Sequence, residues 1–461
     1  MIKYISQFQT KIKEFGNLHQ MKLNPNNRWI QMAQYLPWDE LVKIFSKYFS
    51  SAGCPSINPR IVIGSLIIKH KMNLDDRSTV QIIEENPYMQ FFLGLDEFAP
   101  EPLFTASLFS EWRDKLGHET FNDFTDVLLK ICFSSKMNTT NNEAASCSTT
   151  SSIENKGKLK LDATVADQYI SYPTDLGLLN QAREKTENLI DKLYEHCRRS
   201  LKIKPRTYRE VARQRYLVES KKRQKNKKSL RKCIRYQLNC LDRNVKSINK
   251  MLDLLEINPL SHRQMRTFWI VQTLNNQQRY MYDNRINRCD DRIVSLSQPQ
   301  VRPILRGKAG KKVEFGAKLG LAMMDGFVKV ETLKWDNYNE CADLIPHVEA
   351  YKELYGYYPE LVQVDKIYGT NANRKYCKDR QIRMTVIPKG KSKEMTNEEK
   401  KQSRKEFNER NHIEGKIGQA KQAYNLNQIK AKKESTSKTW IALTLFMTNL
   451  VKFAEYCDFN F

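Results

Sequence analysis

The 461-residue sequence predicts an α/β protein. Its centre is a mixed five-stranded sheet with a large helical insertion after the first strand, preceded by an all-α, helix-turn-helix-like N-terminal domain. Three observations carry this reading. Residues 158–166, KLKLDATVA, alternate apolar and polar side chains with the period of a half-buried strand. Residues 313–323 and 327–333 read as two further strands flanking Asp325-Gly326, a hairpin turn pair. Between these regions, 177–300 is mainly helical in pattern. The expected domains are 1–133, helical and DNA-binding; 134–156, a linker; and 157–461, the sheet domain with its insertion at 177–300.

Within the first domain, Pro37-Trp38-Asp39-Glu40 opens a helix with Leu41, Ile44, Phe45 and Tyr48 on one face. Asn58-Pro59 opens a second, Ser78 to Gln81 reads as the start of a third that ends before Pro87, and a fourth follows Thr105. Short helices joined by tight turns suit a helix-turn-helix reader of DNA, and equally a plain helical bundle. Residues 134–156 are rich in Ser, Thr and Asn and poor in large apolar groups, so they predict a flexible tether.

The insertion is the most basic part of the chain. Residues 198–250 hold 20 Lys and Arg against 3 acids, giving +17 of the whole chain's +25. Ile234, Leu238, Leu241, Val245, Ile248, Leu252 and Leu255 follow a heptad seam. A helical hairpin results, with Ile270, Leu274 and Met281 on the second arm. The seam serves either that hairpin or a dimer. The excess charge favours phosphate contact, with Lys221, Lys222, Arg223 and Lys225 the densest group.

The remaining strands are 313–323, 327–333, 360–365 and 383–387, with helices at 342–355, after Tyr368-Gly369, at 396–424 and at 440–456. Asp is disfavoured inside strands, so Asp162 needs a reason: an exposed edge position or a metal ligand. Asp365 ends the fourth strand. In 403–424, Arg410, Glu414 and Lys421 recur at intervals of four and seven, on one helical face. Alone that is a solvated charged face. With two strand-borne aspartates opposite, it becomes a set of three carboxylates, the oxygen donors that hard divalent cations require. Two such ions about 3.5–4 Å apart activate an attacking oxygen and stabilise the leaving one in phosphodiester cleavage. Asp167 and Asp175 lie beyond the first strand and Asp325 in a turn, so they are set aside. Gly415 and Gly418 mark either a close backbone approach or a local kink.

Net charge of +25 and a pI near 9.5 point to a polyanion, nucleic acid before membrane. Ten irregularly spaced cysteines without a C-x-x-C pair exclude a zinc ribbon and suit a reducing cytoplasm. The N-terminus does not look like a signal peptide, and the longest apolar run, Trp440–Met447, is too short to span a bilayer. A cytoplasmic, nucleoid-associated protein without a membrane partner is expected.

Phe407-x2-Arg410-x3-Glu414-x6-Lys421 resembles the Tyr/Arg/Glu/Lys signature of bacterial insertion-sequence DDE transposases, with Phe407 where Tyr is usual. LDATVADQYISYPTD, VEFGAKLGLA and VDKIYGT resemble that family's first-Asp, middle-strand and second-Asp regions. The resemblance implies an RNase H-like core with Asp162, Asp365 and Glu414 as catalytic and metal-binding acids. It implies Mg2+ (two ions, with Mn2+ able to substitute), and as partners the element's terminal inverted repeats and target double-stranded DNA. Arg410 and Lys421 would meet DNA phosphates, and two chains would act as a homodimer on two DNA ends. Its implied reaction is cleavage at the element's ends and strand transfer. Two other readings share these residues: a catalytically silent, domesticated DNA-binding protein, and a nuclease limited to hydrolysis.

Overall fold

The computed structural model describes residues 23–48, 57–141, 154–224, 226–305, 313–386 and 396–461. In chain order it contains α1 (Arg28–Tyr35), α2 (Trp38–Ser46), α3 (Pro59–Lys71), α4 (Asp76–Glu85), α5 (Pro87–Phe92), α6 (Leu108–Lys115) and α7 (His118–Asn141). Then come β1 (Lys158–Asp167), α8 (Asp175–Cys197), α9 (Arg209–Ser220), α10 (Lys227–Asp253), α11 (His262–Asp283), β2 (Arg302–Leu305), β3 (Val313–Met324) and β4 (Phe327–Lys334). The chain closes with α12 (Leu344–Tyr355), β5 (Leu361–Gln363), α13 (Asn371–Asp379), β6 (Arg383–Met384), α14 (Asn397–Ala423) and α15 (Glu434–Tyr456). Two compact units result, one of 1–167, 318–334 and 338–461, the other of 168–317 and 335–337.

The sheet has six strands rather than the expected five, because Arg302–Leu305 pairs antiparallel with the start of β3. Its order is β2-β3-β1-β5-β6, with β4 also on β3. The β3–β4 hairpin turns on Asp325 and Gly326 at φ of 49° and 90°, as the residue pair predicts. β1 and β5 run parallel, as do β5 and β6.

In the first unit, helix starts follow local chemistry. The Asn58 side chain accepts from Arg60 N at the head of α3, and Pro59 takes the first turn. α4 begins earlier than expected: Asp75, not Ser78, is its cap and accepts from the Arg77 and Ser78 amides. α1, α5 and α7 are additional to the four expected helices.

The tethered N-terminal domain is not what the structure shows. α7 continues to Asn141, inside the segment read as linker. Side chains from α1 to α7 share one hydrophobic core with α15 and the sheet, including Phe121, Phe124, Leu159, Phe327 and Phe446. Two asparagines complete the outer edge of β4. Asn122 of α7 donates to Val330 O (2.7 Å) and accepts from Val330 N (3.2 Å). Asn449 of α15 treats Val328 in the same way, both bonds at 2.8 Å. Each amide thus replaces a neighbouring strand at one residue.

A charged cluster is buried beneath α15. Asp76 receives both guanidinium nitrogens of Arg113 at 2.9 and 2.8 Å, and Lys69 at 2.9 Å. His70 forms a T-shaped pair with Trp440 at 5.0 Å, and its Nε2 has no hydrogen-bond partner among the described residues. Burial, then the Lys69 and Arg113 charges, push its pKa well below the ordinary imidazole value, against the weaker pull of Asp76. The unfolded chain therefore binds this proton at higher pH than the folded one. Stability held above about pH 6.5 is lost as pH falls, by at most about 1.4 kcal/mol per unit from this group. Urea unfolding at neutral and mildly acidic pH should show this slope, flattened in His70→Gln; an identical slope in the variant would exclude His70 as its source.

The second unit is a helical bundle. The heptad residues Leu238, Leu241 and Ile248 are fully buried. Their partners lie on α8 (Leu178, Leu179, Ile190, Leu193) as well as on α11 (Phe268, Val271, Leu274). The expected two-armed hairpin is therefore too simple, since α8 takes the larger share of the seam. The seam is consumed within the chain. Asp253 ends α10, and Ser261 with Gln264 forms a capping box that restarts the chain as α11.

Candidate active site

β1 alternates as its sequence predicts: Leu159 and Leu161 are fully buried, while Lys158, Lys160 and Asp162 take the other face. β5 pairs with Lys158 opposite Leu361 and Lys160 opposite Gln363. That register, carried two positions further, sets Asp365 opposite Asp162. The ladder itself ends at Gln363, and Asp365 is exposed, its carboxylate accepting from Lys366 N (2.6 Å) as the cap of a short 3-10 turn.

α14 lies on the polar face of these strands, held by contacts along its length. The Gln363 amide donates to Glu406 O (2.8 Å), Arg383 pairs with Glu406 (2.7 Å), and Lys158 pairs with Glu409 (2.7 Å). Ile413 and Ala420 are fully buried. The helix begins where expected, with Thr396 and Glu399 forming a reciprocal capping box. It runs unbroken through Gly415 and Gly418. A Cβ at either would meet nothing, so the protein's own packing demands neither glycine.

Arg410 joins two of the expected acids. It donates to Glu414 at 2.7 Å and stands 4.0 Å from Asp162. Its side chain is only 11% exposed, so it is engaged within the site instead of being offered to solvent. Glu414 is half exposed. Burial raises the Asp162 pKa above the ordinary carboxylate range; the Ala163 amide and Arg410 oppose this, and Glu414 and Glu340 add to it. Lys421 is partly buried in the last turn of α14, and Phe407 is exposed.

Sequence reasoning missed a polar cluster beside this site. Asp343 is buried and accepts from Tyr338 Oη (2.6 Å) and Thr332 Oγ1 (3.1 Å), while Glu340 faces Lys318 at 3.5 Å. Tyr368 is fully buried with no partner for its hydroxyl among the described residues, and burial, then Glu340, Asp343 and Asp162, push its pKa up. The only sequence signal was the acid pair in the turn 338–343, which has no periodicity to betray it. Among the described residues, no group of three His, Cys, Asp or Glu side chains is close enough to hold a metal ion.

The basic insertion residues fare differently from one another. Lys221 and Arg223 are exposed. Lys222 is tied to Glu219 (2.6 Å) and Ser229 (3.0 Å), and Lys225 lies outside the described residues.

Comparison with known proteins places this arrangement. Residues 362–451, which include Asp365 and Glu414, match the family model of the transposase DDE domain. Residues 17–115 match that of a transposase domain (DUF772). Over these two stretches the chain is similar to transposases that carry a DDE domain. It is similar to the uncharacterized protein ORF8 in the nfe locus of Rhizobium meliloti, 29% identical over 160 residues, covering 35% of this chain and 71% of that protein. No solved structure matches it. No described helix is long and apolar enough to cross a membrane.

Proposed function

We propose that this protein is a DNA transposase that cleaves at the ends of an insertion sequence and joins the freed 3′-hydroxyl groups to target DNA. The observation that carries this is that Arg410 of α14 stands between Asp162 on β1 and Glu414, while β5, which leads into Asp365, pairs parallel with β1. An antiparallel hairpin on one side of β1 and parallel strands on the other support an RNase H-like core.

The three acids have the donor chemistry that hard divalent cations take, although among the described residues they are not gathered closely enough to hold one. Asp162, Asp365 and Glu414 offer only oxygen, and burial already raises the proton affinity of Asp162, which a cation would counter. Bound Mg2+ would supply Lewis-acid stabilisation of the attacking and leaving oxygens. The chain's own contribution is positional. β1 carries Asp162, the chain leaving β5 carries Asp365 two residues beyond the ladder, and α14 carries Glu414. Arg410 keeps Asp162 and Glu414 from repelling one another before the cations arrive. Lys221, Arg223 and Lys421 are assigned to phosphates, and two chains to two DNA ends.

Labelled DNA carrying the gene's flanking sequences should yield 3′-hydroxyl ends at the repeat boundary with Mg2+ or Mn2+, and none with EDTA. Tight binding without nicking in either metal would replace this reading with a silent DNA-binding protein. Nicked ends that never join target DNA would indicate a hydrolytic nuclease.

A further inference from the structure

The second unit contains a cavity of about 720 Å³, within the range of small-ligand sites. Its walls combine three chemistries. Tyr172, Tyr280 and Phe315 supply aromatic faces, and the first two are 77% and 54% exposed, unusual for rings of this size. Asn287 and Asn337 supply amides, each both donor and acceptor. Arg288 is exposed and makes no ion pair among the described residues. A second guanidinium, Arg292, is already held by Asp175 at 2.7 Å, and Asp290 adds one negative charge to the lining. Tyr172 and Phe315 form a T-shaped pair, 5.6 Å between centroids at 89°, and Tyr172 stays largely exposed.

We propose that this cavity binds an unpaired nucleotide of a DNA strand. The base would stack on Tyr172 or Tyr280, its edge hydrogen bonds would go to the asparagine amides, and its phosphate would meet Arg288. A duplex does not offer this ligand, since its bases are stacked on one another. Aromatic faces beside a cationic group are the general solution for single-stranded nucleic acid. An apolar metabolite would leave Arg288 and both amides unused, and a simple anion would leave the rings unused. The inference rests on the DNA reading above and adds a second, non-catalytic site to it.

The test titrates the full chain with blunt duplex and with the same duplex bearing an unpaired thymidine overhang, in EDTA so that no cleavage intervenes. Wild type should prefer the overhang about tenfold, and Tyr172→Ala or Arg288→Ala should each remove most of that preference. Both positions are exposed, so folding is not at issue; Tyr172→Phe should keep the preference. A 2-aminopurine placed in the overhang should lose fluorescence on binding to wild type but not to Tyr172→Ala. Duplex bound equally well with and without the overhang would overturn the cavity's assignment while leaving the transposase reading intact. Failure to bind either DNA would overturn both.

Discussion

Asp162→Asn and Glu414→Gln should each lower strand cleavage by about 10³-fold or more while changing DNA affinity less than about threefold. Each substitution keeps the side chain's size and removes one ligand charge. A bound cation is worth several kcal/mol of charge stabilisation in the transition state, and each 1.36 kcal/mol is a factor of ten. The two variants should differ in stability. Asp162 is partly shielded and stands 4.0 Å from Arg410, so its loss of charge also removes the burial penalty that raises its pKa. Glu414 is half exposed, so its ion pair with Arg410 contributes little to folding. Cleavage at wild-type rate in either variant would remove that residue from the catalytic set. Equal loss of cleavage and binding would point to a damaged fold.

Asn449→Ala should destabilise the first unit by about 2–4 kcal/mol, read from the midpoint of urea unfolding. The side chain is fully buried and makes three hydrogen bonds, two to Val328 and one to Thr125 Oγ1 at 3.0 Å. Truncation strands the Val328 amide and carbonyl where water does not reach, and unpaired buried groups cost the full desolvation penalty. A loss under about 0.5 kcal/mol would show that water or a strand shift satisfies this edge. Because Thr125 belongs to α7, the variant should also loosen the N-terminal helices, detectable as earlier amide exchange in 118–133.

The features the sequence disclosed are those set by neighbouring residues. The Asp325-Gly326 turn, the alternation of β1 and the Thr396–Glu399 box at the head of α14 are local, and each appears where expected. Partners were less legible. The heptad seam of α10 states that a long apolar face must be covered, but not that α8 covers most of it. The composition of 134–156 hides both the continuation of α7 and the shared core, which depends on α15 more than 300 residues downstream. At the site, spacing put Arg410 and Glu414 on one face, and the structure adds that Arg410 turns inward toward Asp162. Asp365 was visible as a strand-end acid. That the β1–β5 ladder stops at Gln363, two residues before it, needed the structure. β2, at four residues, is too short to carry any period, whereas β6 lies within the expected strand 383–387.

The asparagine pair on β4 also bears on how copies of this chain can meet. An open sheet edge is a template on which a second molecule can add a strand. Here Asn122 and Asn449 already occupy the outward amides and carbonyls of Val330 and Val328. An incoming strand would find no ladder to join there without first displacing two helices. Copies of this chain therefore cannot pair through β4, and the same two plugs protect that strand from edge-to-edge aggregation.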